Sequence, residues 1–169
     1  MTITKLVADS LGTGVGGKVL QVVQVVKSDT FSSSSATLVD ITGLSASITP
    51  SSSSNKILVM VSLSIGGNDS GLRLMTKLFR NSTAIFIGDT AGSRERVSWQ
   101  GTSLSNTHTN SVNHIYLDSP STTSSTTYKM QGRNELGGYS WYVNRNSNDT
   151  DSTSHGRFAS SITLIEIAV

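Results

Sequence analysis

Cysteine is absent from this chain of 169 residues. Without it there is no disulfide framework of the kind that staples small secreted modules, and no cysteine-ligated zinc or redox site. Long apolar runs are missing too: none approaches the roughly 18 residues of a membrane-spanning helix, and the first residues lack the basic and apolar regions of a signal peptide. We therefore expect a protein that is made in a cytosol, does not insert into a membrane, and is stabilised by packing or oligomerisation.

Charge is scarce as well. Charged residues make up 14% of the chain, and the formal net charge is +2. The basic residues are scattered singly, and Arg94 and Arg96 are the nearest approach to a cluster. Nucleic-acid binding needs several lysines and arginines acting together on phosphates. Nucleic acid is therefore not an expected partner.

Residues that commonly catalyse reactions or bind metals are few and dispersed. There are three glutamates, Glu95, Glu135 and Glu166. The three histidines are far apart in sequence, and none has the H-x-x-x-H spacing of a metal site. Serine and threonine are so abundant that no catalytic triad can be chosen without geometry. We predict no catalytic residue, no metal site and no cofactor.

The stretch GTGVGGKV, from Gly12 to Val19, comes close to the phosphate-binding pattern G-x-x-x-x-G-K-[ST]. That motif needs a Ser or Thr after the lysine and a helix directly afterwards, whose N-terminus faces the phosphates. Val19 stands at the hydroxyl position, and the β-branched run VLQVVQVV favours a strand. We interpret the glycines as a flexible joint between an N-terminal arm and the first strand of a domain.

Serine and threonine account for 51 of the 169 residues, and short runs of Val, Ile and Leu interrupt these polar tracts at regular intervals. In KILVMVSLSIGG, alternate residues from Ile57 to Ile65 are apolar, and the intervening set turns polar at Ser62 and Ser64. This period of two indicates a strand with one buried face and one solvent face. GLRLMTKLFRN repeats the pattern, and its ending predicts a hairpin into the next strand.

About ten or eleven short strands at this spacing, with no helical period anywhere, predict an all-β antiparallel sandwich over residues 19–169. An extended arm over residues 1–18 precedes it. The further predicted strands are Val19–Val26, Thr37–Ile41, Leu44–Ile48, Ala84–Ile87, Arg94–Trp99, Val112–Leu117, Thr126–Gln131, Tyr139–Val143 and Ser160–Ala168.

The first and last predicted strands are apolar on both faces. In the last strand, Ile162 and Leu164 share one face, and Ile165 and Ile167 share the other. A two-layer sandwich covers only one face of a strand, so the second face needs another surface, and an identical chain is the simplest one. The alternative is that both strands lie centrally, with loops draped over one face. We predict an oligomer interface formed by Val19, Val22, Val23, Ile162, Leu164, Ile165 and Ile167.

Five segments, GGKVLQVVQ, SITPSSSSNKILVMVSLSIG, LFRNSTAIFIGD, LDSPSTTSSTTYKMQ and SSITLIEIA, resemble small structural proteins of tailed phages of marine bacteria, especially cyanophages. The resemblance covers nearly the whole chain from Gly16 onward. Such proteins are similar in architecture to the C1q/TNF-like jelly roll, a ten-strand sandwich that assembles as a tight homotrimer, often as the head of a fibre or spike. The resemblance implies a jelly roll, a trimer, a location on the virion after assembly in the host cytoplasm, and no catalysis.

Within this resemblance, residues 1–18 are expected to dock onto another phage virion protein. Apolar side chains would make the contacts, and glycines would let the chain change direction. The attachment residues we predict are Leu6, Val7, Leu11, Gly12 and Gly14.

Aromatic side chains near strand ends form a candidate receptor-binding patch for a host cell-surface glycan or protein. Trp, Tyr and Arg provide contact area and a polar tip at low entropic cost. Trp99 precedes a polar loop, and Trp141, Tyr142 and Arg145 lie close together in sequence. Because neighbours in a strand point to opposite faces, we expect at least one of Trp141 and Tyr142 in the core. The alternative function is a decoration or cement protein that binds neighbouring capsid or tail subunits and no receptor.

The segment NRNSNDTDSTSHG, from Asn144 to Gly156, faintly resembles a calcium-binding loop. The bidentate glutamate and the glycine in the middle of such a loop are missing. A solvated loop is the simpler interpretation, although three copies near a trimer axis could bind an ion.

Overall fold

Eleven β-strands make up residues 17–169, the part of the chain that the structure, a computed structural model, describes. Alternating apolar and polar side chains, many of them β-branched, favour strands throughout, and these residues include no helix. The strands are β1 (Val19–Lys27), β2 (Phe31–Ser33), β3 (Val39–Ile48), β4 (Lys56–Gly67), β5 (Arg73–Arg80), β6 (Thr83–Ile85), β7 (Trp99–Thr102), β8 (Thr109–Asp118), β9 (Thr126–Asn134), β10 (Trp141–Val143) and β11 (Ser160–Ile167).

The strands form two antiparallel sheets. Sheet A has the order β1-β11-β4-β10-β2, and β8 also pairs with β4. Sheet B has the order β3-β9-β5-β6, and β7 also pairs with β5. The long strands from β3 onward alternate between the sheets, with β3, β5 and β9 in sheet B and β4, β8 and β11 in sheet A. This is the antiparallel jelly roll that the resemblance implied.

Most predicted strands are present, with shifted ends. The predicted strands Thr37–Ile41 and Leu44–Ile48 are parts of one strand, β3, whose pairing with β9 is irregular between Asp40 and Ser45. β7 begins at Trp99, where the predicted strand Arg94–Trp99 ends, and β2 was not predicted at all. The predicted hairpin is confirmed: β5 pairs with β6 across a turn in which Asn81 has a φ of 53°.

A single apolar core lies between the sheets. The alternate residues of β4 from Ile57 to Ile65 are all buried, as the sequence predicts, and they pack with Leu74 and Leu78 of β5. Full burial of each such side chain stabilises the fold by about 1.5–3 kcal/mol. The core therefore fixes which face of every strand points inward.

The register defines two ends of the sandwich. At one end, which we call the arm end, Val19 pairs with Ile167 and Ile167 pairs with Lys56, the first residue of β4. At the far end, Gly66 of β4 pairs with Thr109. Since β4 has 12 residues, the two ends are about 36 Å apart at about 3.3 Å per residue. Gly17 and Lys18, directly before β1, lie at the arm end, and the loops after β4, β7, β9 and β10 lie at the far end.

Candidate functional site

The outer face of sheet A carries a continuous set of apolar side chains. Four strands contribute to it in register, with Val22 of β1 opposite Ile165, Ile165 opposite Leu58, and Leu58 opposite Leu117 of β8. We call this set the apolar face. Its members are Val19, Val22, Val26, Leu58, Met60, Ile115, Leu117, Ile165 and Ile167.

Several members of the apolar face are open to solvent in the single chain. The exposed fraction is 58% for Val22, 66% for Ile115 and 51% for Leu117. Large contiguous apolar patches of this kind are rare on monomeric soluble proteins and mark interaction sites. The apolar face is therefore a candidate interaction surface.

Polarity changes along this face from one end of the sandwich to the other. Residues that pair across the four strands form rows, and the most apolar row contains Val22, Ile165, Leu58 and Leu117. The next row contains Gln24, Thr163, Met60 and Ile115. In that row, Gln24 Nε2 donates a hydrogen bond to Thr163 Oγ1 at 2.8 Å. The following row keeps one apolar residue, Val26, and is otherwise polar, with Ser161, Ser62 and Asn113. A groove of about 390 Å³ lies between these rows. The apolar face is therefore strongest toward the arm end.

Sheet B differs sharply on its outer face, which is covered by ion pairs. Lys77 Nζ lies 2.9 Å from the Glu95 carboxylate, which Arg133 also contacts, and Lys129 Nζ lies 2.8 Å from Asp40. Such a charged surface is well solvated and has no need of an apolar partner. The two sides of the sandwich are thus chemically distinct.

The structure separates the predicted interface residues into two groups. Val19, Val22, Ile165 and Ile167 lie on the apolar face, where they can contact another chain. Val23, Ile162 and Leu164 instead face the interior, and the last two are completely buried in the core of the same chain. These three inward residues must therefore be removed from the interface set. Four further residues of the apolar face, Leu58, Met60, Ile115 and Leu117, are not in the sequence-based set.

The alternative, in which the first and last strands both lie centrally, holds for the last strand and not for the first. β11 is central, with β1 on one side and β4 on the other. β1 lies at the edge of sheet A, paired only with β11 among the described strands. The exposure of Val22 and Val26 shows that no described loop covers the outer face of β1.

The predicted receptor residues do not form one patch. Trp141 is completely buried, with its ring 5.3 Å from that of Phe31, so it cannot contact a receptor from this position. Trp99 is half-buried in β7 of sheet B. Tyr142 and Arg145 do come together, because Arg145 Cζ lies 4.0 Å from the centre of the Tyr142 ring, a cation–π contact.

A compact loop after β10 adjoins this pair at the far end. Its ends meet, because the Phe158 N–H donates to the Asn144 carbonyl at 3.0 Å. The Asn144 side chain fixes the start of the loop: its Nδ2 donates to the carbonyls of Lys27 and Asp29, and its Oδ1 accepts from Ser160 Oγ. Within the loop, Asp149 contacts Arg157 at 2.7 Å and Arg145 at 3.5 Å.

The arm end is organised around Glu166, a carboxylate that is 1% exposed. Its oxygens accept hydrogen bonds from Gln21 Nε2 at 2.6 Å, Asn55 Nδ2 at 2.6 Å, and Ser51 N and Oγ at 2.7 and 2.8 Å. Burial raises the pKa of Glu166, but the donors from Gln21, Asn55 and Ser51 more than offset this and lower the pKa to about 2. This network holds β1 and the β3–β4 loop to β11.

A second buried network lies at the same end. Asp118 accepts two hydrogen bonds from Arg80 Nη1, at 3.0 and 2.9 Å, and one from Tyr128 Oη at 2.6 Å. Burial and the neighbouring Asp118 carboxylate raise the pKa of Tyr128. These contacts tie β5, β8 and β9 together and leave no titratable group free for chemistry in this network.

His114 is buried between the sheets, with its ring 5.5 Å from that of Phe86. Burial lowers the pKa of its imidazole. Across residues 17–169, no group of three or more His, Cys, Asp or Glu side chains is placed to hold a metal ion. Nor does this part of the chain contain a helix long and apolar enough to cross a membrane.

The predicted attachment residues Leu6, Val7, Leu11, Gly12 and Gly14 lie outside the described residues. Their proposed role is therefore not tested by the fold.

Comparison with known proteins gives only a distant likeness. No family model and no curated protein matches the sequence. Among solved structures, the chain is similar to the infectious bursal disease virus Gx strain, with 15% identity and a TM-score of 0.48 over 90% of this chain and 40% of that one. It is also similar to the T=1 particles derived from that virus, with 15% identity and a TM-score of 0.46 over 87% of this chain and 38% of that one. The chain spans about 40% of the length of these structures, and at such scores the likeness carries no argument about its function.

Proposed function

We propose that the chain is a non-enzymatic structural protein of a phage virion, in which the jelly roll forms a homotrimeric head domain of the fibre or spike type. The N-terminal arm attaches the trimer to another virion protein, and the loops at the far end meet the host surface. The virion part of the proposal is supported by the resemblance of the five sequence segments to phage structural proteins. No cofactor takes part.

The observation that carries the proposal is the apolar face of sheet A. A protein made in a cytosol gains stability by covering such a surface, at about 25 cal/mol per Å² of apolar area removed from water. The charged outer face of sheet B gains nothing comparable, so association occurs through one side of the sandwich only. Three copies that each present the apolar face around one axis would bury it in a closed assembly. The C1q/TNF-like resemblance supports three copies.

The division between attachment and presentation is supported by the two ends of the sandwich. The chain enters β1 at the arm end, whereas Tyr142 pairs with Gly66, about 33 Å along β4 from Lys56. Arg145 contacts Tyr142, and the loop after β10 adjoins them. A molecule held by its N-terminal arm would therefore hold these loops away from the particle. Three copies per trimer and several trimers per particle would multiply weak contacts by avidity.

An electron cryomicroscopy map of the intact particle tests this proposal. We expect a threefold density with the arm against another virion protein and the far-end loops directed outward. A map with the broad face of sheet B buried on a capsid lattice would instead favour the decoration or cement role.

Deletion of residues 1–17 tests the role of the arm. We expect a folded trimer that no longer joins the particle, because the attachment residues are gone but the apolar face is intact. The full-length chain is the control in the same particle-incorporation assay. A monomer or an aggregate from the shortened chain would contradict this division of labour.

A further inference from the structure

The loop from Asn144 to Phe158 is braced from several sides. Besides the bond between its ends, the Asn148 N–H donates to the Asn106 carbonyl at 2.9 Å, and Asn146 Nδ2 donates to the Thr107 carbonyl at 3.4 Å. A compact surface loop whose ends meet is a common place for binding. The braces hold the two ends of the loop and its first residues in position before any ligand arrives.

A small pocket of about 280 Å³ opens within this loop. Its volume falls just below the range of about 300–1,000 Å³ of drug-sized sites, so it fits one small group rather than an extended ligand. All of its lining side chains are polar: Asp149, Thr150, Asp151, Ser152, His155 and Arg157. Most of the surface that a ligand would meet there is therefore polar.

The histidine of this pocket has a defined hydrogen-bonding role. Thr150 Oγ1 donates to Asn148 Oδ1 at 2.8 Å, which orients the amide so that Asn148 Nδ2 faces His155 Nε2 at 3.3 Å. An amide nitrogen can only donate, so Nε2 accepts and the ring proton of the neutral imidazole is on Nδ1. Nδ1 is buried and has no hydrogen-bond partner among residues 17–169. His155 thus carries a buried donor that lacks an acceptor among these residues.

The charges around the pocket balance. Asp149 and Asp151 carry two negative charges, and Arg145 and Arg157 carry two positive ones, with Asp149 paired to both arginines. A balanced site does not favour a free ion of either sign. It offers carboxylate acceptors, a guanidinium donor and two hydroxyls at close quarters. A ligand with adjacent hydroxyl groups, each both donor and acceptor, matches this set.

We propose that this pocket binds one ring of a neutral sugar through adjacent hydroxyl groups. The Asp151 carboxylate, which is exposed, accepts from the sugar hydroxyls, and Arg157 donates to a ring substituent. The inference rests on the proposed host-attachment function, for which it names the ligand class. Single-ring contacts are weak, and three pockets per trimer supply avidity.

Saturation-transfer NMR on the full chain tests this site with methyl α-mannopyranoside, methyl β-galactopyranoside and glucuronate as probes. We expect signal transfer to at least one of the two neutral probes and a loss of binding of tenfold or more in Asp151→Asn. Asp69→Asn is the matched control, because Asp69 is an exposed aspartate on the β4–β5 loop at the same end. It should bind as the unaltered chain does.

Three outcomes would overturn the site: no transfer to either neutral probe, binding of glucuronate alone, or equal binding by Asp151→Asn and the unaltered chain. Light scattering on the same samples separates this result from the larger proposal. A trimer without sugar binding removes only the pocket, and a monomer that binds sugar retains the pocket and contradicts the trimer.

Discussion

Glu166 is a buried carboxylate in β11 that accepts hydrogen bonds from three side chains and one backbone N–H. Its neighbours in the last strand are apolar, and no local pattern identifies its hydrogen-bond donors. The structure brings Gln21, Asn55 and Ser51 to it from two other segments. Hydrogen bonds to a charged group are worth about 1.5–3 kcal/mol each in net stability. Glu166 therefore stabilises the contact of β1 and the β3–β4 loop with β11 at the arm end.

Replacement of this carboxylate gives the prediction at residue scale. Glu166→Gln should lower the free energy of unfolding by about 2 kcal/mol, because the amide presents one weaker acceptor and a donor that faces other donors. Urea unfolding followed by fluorescence measures the change. Glu135→Gln is the control, because Glu135 makes its ion pair with exposed Arg73 on the surface and should change stability little. Equal effects of the two substitutions would contradict the role given to Glu166.

The same network sets a pH dependence with a definite sign. The pKa of Glu166 is about 2 in the folded chain, below its ordinary value of 4.5. Its contribution to stability is thus complete above pH 4.5 and is lost as the pH falls from 4.5 toward 2. In Glu166→Gln that contribution is missing, so the difference in unfolding free energy between the two chains should shrink across this interval. A constant difference from pH 6 to pH 2.5 would contradict the assignment.

Trp141 and Tyr142 mark the limit of sequence reasoning at this scale. The period of two correctly places them on opposite faces, and one of them is in the core as expected. Which one is buried depends on the packing of Trp141 against Phe31 and Gly132. Those neighbours come from β2 and β9, and local sequence does not predict that these strands lie next to β10. Trp141 therefore leaves the predicted receptor patch, and the role of Tyr142 in binding stays a prediction.

At the scale of strands, local patterns located nearly every long element. The alternation in β4, β5, β8 and β9 is strong because each has one face in the core. β2 has three residues in a serine-rich segment and is stabilised by pairing with β10, so nothing local identifies it. The interface set was incomplete for a related reason. The apolar residues of β8 appear ordinary until its pairing with β4 places them beside Leu58 and Met60.

One substitution on β8 tests the apolar face. Ile115→Lys should abolish self-association, because a charge would be buried without a partner, whereas a side chain that is 66% exposed in the single chain contributes little to the fold itself. Gel filtration with light scattering measures the mass, and circular dichroism confirms the fold. Gln100→Lys, on the exposed side of β7 in sheet B, is the matched control and should remain associated. An associated, folded Ile115→Lys would exclude this part of the face from the interface.

At the scale of the whole molecule, the two sheets have outer faces of different polarity, apolar on sheet A and charged on sheet B. The two ends of β4 mark the arm end and the far end of the sandwich. The composition of the first and last strands predicted that a single chain would not cover all of its apolar residues. The order of the strands then determined where those residues meet. The jelly-roll order was expected from the resemblance, whereas the gradient from apolar to polar rows along sheet A became visible only in the register.

The central claim is that the apolar face of sheet A is covered by identical chains. Sedimentation equilibrium of the full chain in dilute buffer tests it most directly. Three chains of 17.9 kDa give a trimer of about 54 kDa. Micromolar protein concentrations allow a dissociation constant in the micromolar range to be measured. The account predicts a single species at that mass across the concentration range. A stable, monodisperse species of 17.9 kDa would contradict it.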